Sequence, residues 1–338
     1  GVPLVHYISL DHESKAVVLT CRGTLGFEDV LADMTCDYDD MLWRGRTYKV
    51  HKGVHASARR LLYGGDGKVL ATLRTALEEF PDYGLVLTGH SLGGAVTTLL
   101  GIMLAEPAQS PGTPFVTTAE PHTRFITHPS STQTSLVTGQ PITTPHVCLP
   151  AGRAIHVFAY GPPATISAAL RDATRGLITT IVNGHDVVPY LSLGVLHDMQ
   201  AAALALKSDS SAARAELWKK ILKGLMTEAA KISGFGNGGS SEEEQRTQEW
   251  AYALLKGLRA SMVGEKLVPP GEVFVVEAEK DKMMRGGRRG KNVVLKYVRD
   301  VEKRFREVRL GKCMLVDHNP GRYERALEGL TAGVMGQD

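Results

Sequence analysis

Short runs rich in Val, Ile and Leu alternate along the chain with stretches whose apolar residues recur at helical spacing. The runs predict strands over Val5–Leu10, Ala16–Cys21, Gly84–Gly89, Ile155–Tyr160, Ile178–Val182, Glu272–Val276, Val293–Val298 and Lys312–Val316, most of them bounded by Gly, Pro or Asp. Helical patterns fall between them, at Gly67–Phe80, Ser91–Ala105, Ser167–Arg175 and Arg299–Val308. Such alternation predicts an α/β fold, with a mainly parallel central sheet and helices on both faces.

Two segments interrupt the alternation. Residues 106–150 are rich in Ser, Thr, Pro and Gly and read as a flexible insertion. Residues 199–266 read as a helical, cap- or lid-like insertion with a hinge at GFGNGGSS (234–241), followed by Glu242–Glu244. Within it, Leu217, Trp218, Ile221, Leu222, Leu225, Met226 and Ile232 share one face of Ala212–Ile232, and Lys219, Lys220, Lys223 and Lys231 lie largely off it. That stripe suits an interfacial helix seated in lipid and equally suits a cap helix packed on the domain. Trp250–Leu258 is a candidate helical partner. The expected organisation is a single domain over residues 1–338 that carries both insertions.

Composition narrows the class. A chain of 338 residues with 22% charged residues describes a soluble globular protein with room for a large core. The net charge of +3 does not indicate a nucleic-acid partner. The basic run KDKMMRGGRRGK (280–291) has no interleaved aromatics for base stacking. It reads first as the solvated loop of a β-hairpin, and second as a weak attraction to an anionic membrane surface. The longest apolar runs are about ten residues, against the roughly 20 a membrane span needs. The chain opens at Gly1 with neither an initiator methionine nor an apolar leader, the pattern of a fragment or processed form. Cys21, Cys36, Cys148 and Cys313 are widely spaced, without a CxxC pair; Cys21 and Cys313 lie in apolar runs and read as buried thiols. Nothing in this usage demands an oxidising compartment. No metal-ligand cluster is seen, and no cofactor is expected.

The chemistry concentrates in LVLTGHSLGGAVTTLL (85–100), where an apolar run meets a glycine-rich corner and then a small-residue helix. Gly89-His90-Ser91-Leu92-Gly93 is the G-x-S-x-G pattern of a nucleophile elbow. A sharp strand-to-helix turn lifts the serine hydroxyl out of the sheet, and the glycines make room for the backbone. The helix N-terminus behind Ser91 favours negative charge developing there. A serine hydroxyl needs a base, and the base needs an acid to orient it. In this chain order, acid then histidine should follow the serine. Asp186, just past an apolar run, fits the acid better than Asp172, which lies in a helical pattern. Beyond it stand only His197 and His318; His318, at the end of CMLVDH (313–318), is the preferred base. His51, His55, His90 and His185 precede the required position and read as structural, although His90 and His185 adjoin site residues. Oxyanion donors are expected from the backbone N–H of Leu92 and from Thr24, in the loop after an early strand.

These residues carry a family resemblance. KAVVLTCRGTLGFEDVLAD (15–33), VHKG (50–53), PDYGLVLTGHSLGG (81–94), PPG (269–271) and CMLVDHNPGRYERAL (313–327) occur in order along nearly the whole chain. Together they resemble the class 3 lipases, the fungal-lipase-like branch of the α/β-hydrolases, on the diacylglycerol lipase-like side. The resemblance implies the α/β-hydrolase fold, with Ser91 as nucleophile, Asp186 as acid, His318 as base, and Thr24 with Leu92 as the oxyanion hole. It implies a glycerolipid substrate, diacylglycerol or triacylglycerol, met at a membrane or lipid-droplet surface, and an intracellular, peripheral location. Two features depart from the family. The helix that usually precedes the first strand is absent, and Leu25–Met34 has few of the bulky apolar residues of a short lid. A phospholipase A1 or a carboxylesterase would use the same triad. A lipid-binding module with a degenerate site is the non-enzyme alternative, against which the intact Ser91, Asp186, His318 and Thr24 set speaks.

Overall fold

The computed structural model describes residues 4–23, 37–109, 112–119, 148–198, 265–278, 293–306, 311 and 313–335. Seven strands form the main sheet in the order β1-β2-β5-β8-β9-β10-β11. They are β1 (His6–Asp11), β2 (Ala16–Cys21), β5 (Gly84–His90), β8 (Ile155–Tyr160), β9 (Ile178–Asn183), β10 (Glu272–Ala278) and β11 (Val293–Tyr297). The five inner strands are parallel, and β1 and β11 pair antiparallel at the two edges. Each predicted run other than Lys312–Val316 forms a strand of this sheet, with ends shifted by no more than a few residues. The expected α/β architecture with a mainly parallel central sheet is the observed one.

Helix α3 (Leu92–Leu104) shows why the core sits where it does. All thirteen of its residues are buried. A helix apolar all round must be enclosed on every side. One side lies on β5 and β8, and α1 (Lys52–Tyr63) covers another. Gly101 permits the closeness: a Cβ there would come 2.3 Å from Val157 Cγ2. The main core joins Leu85, Leu87 and Val157 of the sheet to Val96, Leu99 and Leu100 of α3 and to Val54, Ala58 and Leu62 of α1. Helix α2 (Lys68–Glu79) adds Leu73 and Leu77. Beyond α4 (Ala168–Ala173), a second cluster sets Val182, Val273 and Val275 against Val301 and Phe305 of α5 (Val301–Phe305).

Several elements lie outside the run pattern. β3 (Tyr38–Trp43) and β4 (Arg46–His51) form a hairpin closed by Arg44 and Gly45, both at positive φ, as a two-residue type I′ turn requires. The hairpin's Trp43 donates its indole N–H to the Ile102 carbonyl at 2.9 Å. At the start of the segment 106–150, β6 (Ala105–Pro107) and β7 (Phe115–Thr117) pair antiparallel. The last helix, α6 (Pro320–Met335), packs against β9, β10 and β11.

The predicted strand at Lys312–Val316 is corrected: residues 313–318 form turns. β11 takes the place beside β10. The backbone bonds locally instead, Asp317 N–H to Cys313 C=O and Asn319 N–H to Val316 C=O. Leu315 and Val316 are therefore half exposed, and Cys313 is exposed rather than buried. The helix expected at Arg299–Val308 shortens to α5, capped by the Asp300 carboxylate on Lys303 N–H.

Contacts divide the chain into one unit of Gly1–Leu193 with Lys266–Asp338 and a second of Gly194–Glu265. Of the second, residues 194–198 and 265 are described. The apolar stripe of Ala212–Ile232, the hinge at 234–241, Trp250–Leu258, the basic run 280–291, Cys36 and Leu25–Met34 lie outside the described residues. Among the described residues no helix is long and apolar enough to cross a membrane.

Candidate active site

β5 ends at His90 and α3 begins at Leu92, so Ser91 alone turns the corner. Its backbone adopts φ 57° and ψ −127°, a conformation that costs a non-glycine residue roughly 1–3 kcal/mol. The surroundings hold it there. Ser91 N–H bonds the Tyr160 carbonyl on β8 at 2.8 Å, and Ser91 C=O accepts Ala95 N–H at 3.1 Å. The glycines explain the sharpness. A Cβ on Gly93 would lie 2.2 Å from the Cys21 carbonyl oxygen, and one on Gly89 would lie 2.4 Å from the Gly93 carbonyl carbon. The first turn of α3 thus rests directly on the ends of β2 and β5. Gly23, in the loop after β2, is equally close: a Cβ there would meet His90 O at 2.6 Å.

Asp186 follows β9 and is fully buried. Three donors satisfy its carboxylate. Val188 N–H reaches Oδ1 at 2.9 Å. His318 Nδ1 and the Tyr323 hydroxyl reach Oδ2 at 2.8 and 2.5 Å. On its other side, His318 Nε2 stands 2.9 Å from Ser91 Oγ. With Nδ1–H given to Asp186, the Nε2 lone pair faces the serine hydroxyl. That is the tautomer needed for the ring to accept its proton.

The structure therefore brings Ser91, Asp186 and His318 together across 227 and 132 residues of chain. Leu92 is the first residue of α3, so its N–H is one of the helix's unpaired leading amides beside Ser91. Thr24 lies outside the described residues. Asp172 pairs with Arg171 and Arg175 on the surface. His51 caps α1 by accepting Val54 N–H, and His55 pairs with Asp39. His197 belongs to the second unit.

Two neighbours add to the site. His90 lays its ring on that of His318, centroids 4.6 Å apart. Burial first, and then the neighbouring His318, push its imidazole down to about 4, so the ring is neutral at pH 7. Tyr323, on α6, was not singled out by the sequence reading. It is buried, its edge meets His90 at 5.3 Å, and its hydroxyl is pushed well above the usual tyrosine range by burial and by Asp186. A signal for it exists: Tyr323, Ala326 and Leu327 have helical spacing and form the face that α6 turns to the sheet. Cys21 is deeply buried, its thiol pushed up to about 12 by desolvation, which leaves it unreactive. Among the described residues, no group of three or more His, Cys, Asp or Glu side chains could hold a metal ion.

Residues 18–137 match the family described as Lipase (class 3). Over 96% of its length the chain is 23% identical to diacylglycerol lipase-beta of Mus musculus, covering 44% of that protein. Over 93% of its length it is 22% identical to diacylglycerol lipase-alpha of Homo sapiens, covering 26%. The chain thus spans less than half the length of these curated relatives. Among solved structures, a triacylglyceride lipase of Rhizomucor miehei overlaps 56% of either chain at 19% identity, with a TM-score of 0.37.

Proposed function

Because residues 18–137 match the class 3 lipase family and the chain is similar in sequence to diacylglycerol lipases, we propose that it hydrolyses acyl esters of glycerolipids through Ser91. One observation carries the reading: the continuous relay from Ser91 Oγ through His318 to the buried Asp186 carboxylate. Ser91 attacks the ester carbonyl while His318 Nε2 takes its proton. Asp186 holds the ring in register and stabilises the imidazolium. Leu92 N–H and Thr24 bind the oxyanion. His318 then protonates the leaving alcohol, and water attacks the acyl-serine by the same route, releasing the fatty acid. The strain stored at Ser91 and the close glycines Gly89 and Gly93 serve this step by presenting the hydroxyl at the start of α3.

The substrate class proposed is diacylglycerol, cleaved at an outer position, or triacylglycerol. Diacylglycerol is supported by the names of the relatives. Each buried CH₂ contributes about 0.8 kcal/mol, so a long-chain substrate stays in a membrane or droplet and the enzyme works as a peripheral visitor. Residues 106–150 and 199–266 are proposed to regulate that approach as insertions into one catalytic domain. The test is hydrolysis of a long-chain diacylglycerol with and without lipid vesicles, beside Ser91→Ala. Ser91-dependent activity that rises on vesicles supports the reading. Cleavage confined to a phospholipid or a soluble short ester would move the assignment to a phospholipase A1 or a carboxylesterase. Failure of the wild type to react with a fluorophosphonate would point to a lipid-binding module.

A further inference from the structure

His318 sits on a turn that no strand carries, yet a general base works only within about 2.6–3.2 Å of the proton it takes. Residues 313–318 make no ladder with the sheet, and the side chains of Leu315 and Val316 face solvent. What holds the turn is the loop that carries the acid. Val187 N–H donates to the Met314 carbonyl at 3.2 Å. Asn183 Nδ2 donates to the Asp317 carbonyl at 3.0 Å. His185 N–H donates to the Asp317 carboxylate at 3.1 Å. Residues 183, 185 and 187 thus flank Asp186 and bond to 314 and 317, immediately before His318. Gly184 shapes the contact: at φ 53°, a Cβ there would come 2.8 Å from Asp317 Oδ2.

We propose that Asp317 is a positioning residue that fastens the turn bearing His318 to the loop bearing Asp186. This rests on the reading of His318 as the base. The fastening makes acid and base one mechanical piece, so their separation does not depend on the exposed remainder of the turn. The carboxylate is the only side-chain group among these bonds that the turn itself supplies. It acts as an acceptor of shape and reach; a direct effect of its charge on the imidazolium is the competing account.

Asp317→Ala and Asp317→Asn in the full chain separate the two. Each variant is measured for kcat and KM on a soluble ester, and for the far-downfield proton NMR signal of His318 Nδ1–H. Asparagine keeps an oxygen for His185 N–H and loses the charge. The expected result for Asp317→Ala is a fall in kcat on the order of 10- to 100-fold at unchanged KM, as for a base displaced by about 1 Å, with the proton signal broadened. Asp317→Asn should restore most of the rate and the signal. Asn183→Ala, which cuts the neighbouring bond, should lower kcat in the same direction and serves if Asp317→Ala fails to fold. Equal losses in the alanine and asparagine variants would overturn the fastening in favour of charge. Wild-type rate and signal in Asp317→Ala would overturn it outright. Should wild type fail to react with a fluorophosphonate, the hydrolase reading fails, and the proton signal alone still reports whether Asp317 fastens the ring.

Discussion

Ser91 stands at the end of a central strand, and His318 stands on a turn outside the sheet. The serine's position is set by neighbours in sequence. Strand β5, a one-residue corner and helix α3 follow one another, and the glycines at 89, 93 and 94 let the helix close on the strands. The histidine's position is set by residues more than a hundred positions away. Asp186 and Ser91 hold its two nitrogens, His90 covers its ring, and residues 183–187 tie down its turn. A reaction centre can thus join one rigid, locally encoded corner to one borrowed loop, provided the loop is bonded to the sheet's own carboxyl edge.

Four substitutions test this contrast, from the largest effect to the smallest. Ser91→Ala should lower kcat on the order of 10⁴–10⁶ with the fold intact, because the remaining groups have no nucleophile to activate. Activity within tenfold of wild type would remove Ser91 from the mechanism. Gly93→Ala attacks the corner itself. Its Cβ would press on the Cys21 carbonyl at 2.2 Å, backbone against backbone, with no flexible side chain to yield. A loss of about 1–3 kcal/mol or more is expected in urea unfolding, along with lost activity.

Tyr323→Phe acts on the borrowed half. It deletes one of three donors to the buried Asp186 carboxylate. A hydrogen bond to a charged group contributes about 1.5–3 kcal/mol, so kcat should fall on the order of tenfold while KM holds. An unchanged kcat would make Tyr323 a packing residue only. His90→Phe is the gentlest. In the folded protein the His90 imidazole protonates only near 4, against an ordinary 6.5. Between those values the unfolded chain binds the extra proton, so wild-type stability falls as pH drops from 6.5 toward 4. Phenylalanine keeps an aromatic ring in place and removes that contribution. Urea midpoints across this range should decline less steeply in the variant; parallel slopes would mean that His90 is not held neutral by burial.

Much of the sheet was readable because its strands are Val-, Ile- and Leu-rich runs, and burial on both faces demands such runs. The misreading at Lys312–Val316 comes from the same rule. CMLV (313–316) has the apolar content of a strand, but the place beside β10 is taken by β11, which pairs there from elsewhere in the chain. The β3–β4 hairpin was missed because Tyr38–Trp43 contains two aspartates and Arg46–His51 contains arginine and lysine; only its turn, at Arg44 and Gly45, advertises it. Asp186 and His318 were legible by chain order and by their place after apolar runs. Their partners Tyr323, Asn183 and Asp317 were not.

By itself the sequence determined the strands of the main sheet and the corner at Ser91. Strand, glycine turn and helix are contiguous, so short-range sterics and the apolar pattern suffice to specify them. Only the tertiary structure decided which histidine reaches that serine and what steadies it. The bonds involved join residues 132, 137 and 227 positions apart. Their lengths depend on how the whole sheet brings its carboxyl ends together, a quantity no local stretch of chain contains.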